Sequence, residues 1–118
     1  GLRDAQELAV RQFSKGMHTR LAFAVAQINQ PQLLILDEPL DGLDPLGRQD
    51  FKQMILKLKT AGTTIFFSSH ILSDVEEICD EVAILHQGKI ITQGAPKALI
   101  RSSKQSLEEM FVRSIRNA

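Results

Sequence analysis

The stretch Leu33-Leu34-Ile35-Leu36-Asp37-Glu38-Pro39 decides how this 118-residue chain reads. Four apolar residues without alternation predict a strand of a parallel sheet, covered on both faces. The strand ends abruptly in two acids. Ligand sites of open α/β sheets lie outside the carboxyl ends of the strands, so the pair is placed for chemistry. Adjacent strand residues point to opposite sides, so Asp37 and Glu38 cannot do the same job. One carboxylate can hold Mg2+, directly or through its waters. The other can orient or deprotonate an attacking water. The same residues also fit two solvated acids at the start of a loop. Glycosidase chemistry fits poorly, because adjacent strand residues do not flank one bond.

Outward from that strand, turn signals divide the chain into short alternating elements. Residues 1–12 predict a short polar helix or turn. Gly16 to Ile28 predicts a helix, with Met17, Leu21, Ala24, Val25 and Ile28 on one face, and Pro31 stops it. Asp44-Pro45 is a helix start, an N-cap acceptor followed by proline at the first helical position. That helix runs to about Thr60, where Gly62 ends it. Thr64 to Phe67 predicts a second strand, Ile71 to Cys79 a short helix, and Val82 to Leu85 a third strand. Gln87-Gly88 is a tight turn into an antiparallel strand, Lys89 to Thr92. Pro96 to Arg101 and Leu107 to Ile115 predict helices, the second opened by a Ser106–Glu109 capping box. The alternation predicts an α/β fold with a mostly parallel sheet and flanking helices.

Composition sets bounds on function. The 14 Lys and Arg balance the 14 Asp and Glu, so the formal net charge is zero. That argues against a dedicated nucleic-acid binder or a polybasic membrane-surface protein. Trp and Tyr are absent and there are 6 Phe, too few to suggest base-stacking platforms. The longest apolar run is the six residues Leu21 to Ala26, against the roughly 20 a membrane span requires. The single cysteine, Cys79, cannot form an internal disulfide, which points to a reducing compartment.

Two further stretches carry candidate chemistry. Phe13-Ser14-Lys15-Gly16-Met17 places a hydroxyl and backbone N–H groups at a helix N-terminus, where the dipole favours phosphate. A plain serine N-cap reads equally well from these residues. Ser68-Ser69-His70 follows the second strand, and a histidine there is commonly a polar loop residue. His18 and His86 have no such context and read as structural or surface residues.

In this order, the stretches resemble the C-terminal half of an ATP-binding-cassette (ABC) ATPase. Leu33 to Asp37 is similar to the family's Walker B strand, and Glu38 takes the position of its catalytic glutamate. Phe13 to Met17 resembles the signature motif L-S-G-G-Q. Ser14 and Gly16 match it; Phe13, Lys15 and Met17 depart, a variant form seen in some bacterial exporters. Leu40 to Pro45 resembles the D-loop, and Ser68-Ser69-His70 the switch-histidine region. Val82 to Leu85, Gln87 to Ile90 and Gln93-Gly94 resemble the hairpin that follows. On this resemblance residues 1–30 are the end of a helical subdomain, 31–100 the Walker B to switch-histidine core, and 101–118 a C-terminal helix.

The resemblance implies ATP and Mg2+ as cofactors. It gives Mg2+ binding to Asp37, water activation to Glu38 and a γ-phosphate contact to His70. Ser14, Lys15 and Gly16 would face the ATP of an opposite subunit, and Asp44 would couple the two sites. The implied partners are a second ATPase subunit and a transmembrane permease, with no nucleic acid, at the cytoplasmic face of a membrane. The implied function is ATP hydrolysis coupled to transport. A phosphate loop, G-x-x-x-x-G-K-[ST], is not in this chain. Gly42 to Gly47 has the glycine spacing, but Arg48 and Gln49 stand where Lys and Ser/Thr are needed. The expectation is an incomplete P-loop NTPase core lacking the Walker A strand, inactive alone and marginally stable or aggregating. The alternative is a non-enzymatic assembly or regulatory module that completes a partner's ATP site.

Overall fold

A computed structural model of the chain describes residues 2–103 and 105–117. The chain divides into two units, Gly1–Ser69 and His70–Ala118.

The first unit opens with two 3-10 turns, Arg3–Ala5 and Val10–Gln12. Helix α1, Lys15–Ala26, is capped by Ser14, whose Oγ accepts the Met17 N–H at 3.2 Å. Strand β1 is Leu33–Leu36. Helix α2, Pro45–Thr60, is capped by Asp44, whose Oδ1 accepts the Gly47 N–H at 2.7 Å. It ends in a Schellman motif: Thr63 N–H donates to the Leu58 carbonyl and Gly62 N–H to the Lys59 carbonyl, both at 3.0 Å. Gly62 takes the left-handed conformation this stop requires, with φ +98°. Strand β2, Thr64–Phe67, then pairs with β1 in parallel, Leu34 opposite Ile65 and Leu36 opposite Phe67. The long return through α2 is what a parallel pair needs.

The core of this unit is small. Phe23 of α1 stacks on Phe51 of α2 with ring centroids 4.6 Å apart. Leu34, Leu40 and Ile55 are buried with them. Two sequence expectations fail here. The β1 strand is covered on one face only: Leu34 is buried, while Leu33 and Ile35 are 52% and 69% exposed. Phe66 of β2, opposite Ile35, is 67% exposed. The four apolar residues prescribe two covered faces, but a two-stranded sheet offers this unit a single covered side. Helix α1 likewise does not bury the 17-21-24-25-28 stripe. Phe23 is its buried residue, and Val25 and Ile28 lie exposed. One large ring filling the space against Phe51 outweighs the periodicity of smaller side chains.

The second unit contains α3, Leu72–Ile78, the hairpin β3, Val82–His86, with β4, Lys89–Gly94, and helices α4, Pro96–Ser103, and α5, Leu107–Arg116. Gln87 and Gly88 both take positive φ, +47° and +74°, the geometry of a two-residue type I′ turn. Strand β4 runs two residues further than the sequence predicts, with Gly94 opposite Val82. The Ser106–Glu109 capping box forms as expected, with bonds of 3.0 and 3.2 Å. Glu76 of α3 accepts the Leu107 N–H at 3.2 Å, tying α5 to α3. Ile78, Ile84 and Leu107 are buried in this unit. The four strands thus form two separate pairs, β1–β2 parallel and β3–β4 antiparallel. No helix among the described residues is long and apolar enough to cross a membrane.

Candidate functional site

The acid pair stands at the carboxyl end of β1, where the strand pattern puts it. Because Leu36 and Phe67 are register partners, the next residues, Asp37 and Ser68, leave the sheet side by side. The Ser68 N–H extends the ladder, donating to the Leu36 carbonyl at 3.1 Å. The Ser68 hydroxyl donates to Asp37 Oδ1 at 2.6 Å. Ser68 Oγ in turn accepts the Glu38 N–H at 2.8 Å. Glu38 has φ +45°, a left-handed conformation that costs a residue with a Cβ about 1–2 kcal/mol. Bonds on both sides hold it there: its N–H to Ser68 and its carbonyl to the Asp41 N–H at 3.1 Å. Pro39 and Leu40 follow it into the core.

A second constellation lies in the same unit. The N-terminus of α1 and the loop before α2 enclose an open cleft of about 410 Å³. Ser14, Lys15, Gly16, Leu43, Asp44 and Gly47 line it. The Lys15 ammonium bonds Asp41 Oδ2 at 2.6 Å. Its stem crosses Gly42, whose φ is +72°; a Cβ built there would meet Lys15 Cδ. Gly42 is glycine because of its left-handed backbone, while the Lys15 end above it can move aside. Ser14 and Asp44 each cap a helix, so their capping roles are realised whatever else they do.

The fold thus brings Ser14, Lys15, Gly16 and Asp44 to one cleft and places Asp37 and Glu38 together after β1. His70 is exposed and opens the second unit, just before Ile71 at the N-cap of α3. Sequence reasoning gave Ser68 and Asp41 no role of their own. The signal for Ser68 was present: each strand is four residues long and is followed at once by a polar residue.

The donor set at Asp37 fits a hard divalent cation. Oδ1 is held by Ser68, and the Asp37 side chain is exposed. Among the described residues, no cluster of three or more His, Cys, Asp or Glu could hold a metal by itself. Mg2+ needs no such cage, since it binds through one or two carboxylates, phosphate oxygens and water.

Known proteins match both the sequence and the fold. The family model described as ABC transporter matches residues 1–41. An uncharacterised ABC transporter ATP-binding protein of Nostoc is 54% identical over 84% of this chain and 30% of its own length. A lantibiotic transport ATP-binding protein of Streptococcus pyogenes is 44% identical over 94% of this chain and 46% of its own. The chain therefore spans less than half the length of these curated relatives. A solved structure of the ATP-binding subunit of an ABC transporter superposes with a TM-score of 0.80 at 34% identity, over 89% of this chain and 45% of that one. The fold, the ordered motifs and these likenesses agree, and the chain belongs to the ABC transporter ATP-binding family.

Proposed function

We infer that the chain is the part of an ABC ATPase that supplies the water-activating and metal-binding carboxylates and the signature loop. The observation that carries this is the Asp37–Glu38 pair at the carboxyl end of β1, pinned by Ser68 and followed by a loop that shares a cleft with Ser14 to Gly16. Asp37 would hold Mg2+, alongside phosphate oxygens and water. Mg2+ supplies charge neutralisation on the phosphates as the γ-phosphoryl group departs. Glu38 orients the attacking water and accepts its proton. His70 donates a hydrogen bond to the γ-phosphate.

Ser14 and the N–H groups that follow it act on the ATP of a second subunit, so the working unit is a dimer. Lys15, paired with Asp41, has two further ammonium protons to offer that phosphate. Asp44, at the end of the same loop, couples the two sites. Hydrolysis drives transport through a permease, with the ATPase held at the cytoplasmic face of the membrane. The name of the Streptococcus relative supports a transport role.

Glu38→Gln in the full-length protein tests the reading. It is expected to bind ATP with unchanged affinity and to lose turnover by about 100-fold or more, the usual scale for a general base. Unchanged turnover would remove Glu38 from the chemistry.

A further inference from the structure

We propose that Ser68 is a positioning residue for the acid pair. Its hydroxyl binds the Asp37 carboxylate and the Glu38 backbone into one unit, and so sets how that carboxylate meets Mg2+. The clamp rests on geometry; its consequence for the metal rests on the ABC ATPase reading.

A serine hydroxyl has one proton and two lone pairs. The proton goes to Asp37 Oδ1 at 2.6 Å, a length typical of a charge-assisted O–H···O− bond. A lone pair receives the Glu38 N–H at 2.8 Å. The relay therefore runs in one direction, from Glu38 N–H through Ser68 Oγ–H to Asp37, and each bond polarises the next.

Ser68 is itself fixed, because its N–H is in the parallel ladder with Leu36. The relay thus ties the ends of two strands at one oxygen. Two consequences follow. Asp37 keeps one carboxylate oxygen engaged and presents the other. Glu38 keeps its left-handed backbone, φ +45°, and with it the direction of its side chain. Partners of metal-ligating carboxylates commonly govern metal affinity in this way. Alanine at position 68 removes both bonds, whereas threonine retains the hydroxyl.

The test uses the full-length protein with Ser68→Ala and Ser68→Thr. Amide exchange at Glu38 is followed by NMR without nucleotide. Mn2+ binding is followed by EPR with a non-hydrolysable ATP analogue, and nucleotide affinity is measured without metal. Ser68→Ala is expected to speed Glu38 exchange about tenfold, the loss of one hydrogen bond. It is expected to raise the Mn2+ half-saturation about tenfold, the lower end for an outer partner of a metal ligand. Metal-free nucleotide affinity stays unchanged, and Ser68→Thr restores both quantities.

Unchanged Glu38 exchange in Ser68→Ala overturns the clamp. Faster exchange with unchanged Mn2+ half-saturation overturns its role at the metal. A wild-type protein that binds no Mn2+ with nucleotide overturns that role and the ATPase reading together, a result distinct from failure at Ser68 alone.

Discussion

At the scale of single residues, the loop between β1 and α2 is held by contacts that leave little room for substitution. Gly42 is the sharpest case, since its φ of +72° disfavours any residue with a Cβ. In the full-length protein, Gly42→Ala is expected to cost about 1–2 kcal/mol, read as a lower urea midpoint. An unchanged midpoint would show that the left-handed backbone at position 42 carries no cost for alanine. The Lys15–Asp41 pair is more exposed, with side-chain accessibilities of 64% and 45%. A double-mutant cycle on it is expected to give about 0.2–1 kcal/mol of coupling, shrinking as salt is raised. Salt-independent coupling would mean that stem packing, not charge, joins the two residues. The sequence declared the acid pair and the Ser14 and Asp44 caps. It could not declare the Lys15–Asp41 bond or the bridge through Ser68, because partners 26 and 31 residues apart meet only in the fold.

At the scale of elements, local signals wrote most of the fold. Capping at Ser14, Asp44 and Ser106, the stop at Gly62 and the turn at Gln87-Gly88 all form as their residues predict. What local signals could not give was which apolar face finds a partner. Helix α1 has an apolar stripe by spacing, yet burial goes to Phe23, because Phe51 lies opposite it. Phe51 is 1% exposed, and Phe51→Ala is expected to cost the full-length protein about 3–5 kcal/mol, read as a lower urea midpoint. A loss below 1 kcal/mol would show that the α1–α2 contact does not hold this unit together. The strand run Leu33 to Leu36 teaches the same lesson: composition reports that a strand wants two covers, and tertiary context decides how many it has.

At the scale of the whole molecule, the exposed row Leu33, Ile35 and Phe66 is apolar surface on a sheet whose strands have one neighbour each. Such surfaces and edges associate. The 118-residue polypeptide on its own is therefore expected to bind a hydrophobic dye and to sediment as a range of assemblies. Ile35→Lys with Phe66→Lys is expected to reduce both effects. A monomer with a reversible, cooperative melt would contradict this. The proposed function puts the chemistry of an ABC ATPase at Asp37, Glu38 and the signature loop. The most direct measurement grafts this chain into the Streptococcus pyogenes relative, in place of the matching 46% of its length, and assays Mg2+-dependent ATP hydrolysis with and without Glu38→Gln. The graft is expected to hydrolyse ATP, and its Glu38→Gln form to bind ATP but turn it over about 100-fold or more slowly. A folded graft that binds ATP without hydrolysing it, or a Glu38→Gln form as active as its parent, would contradict the proposed function.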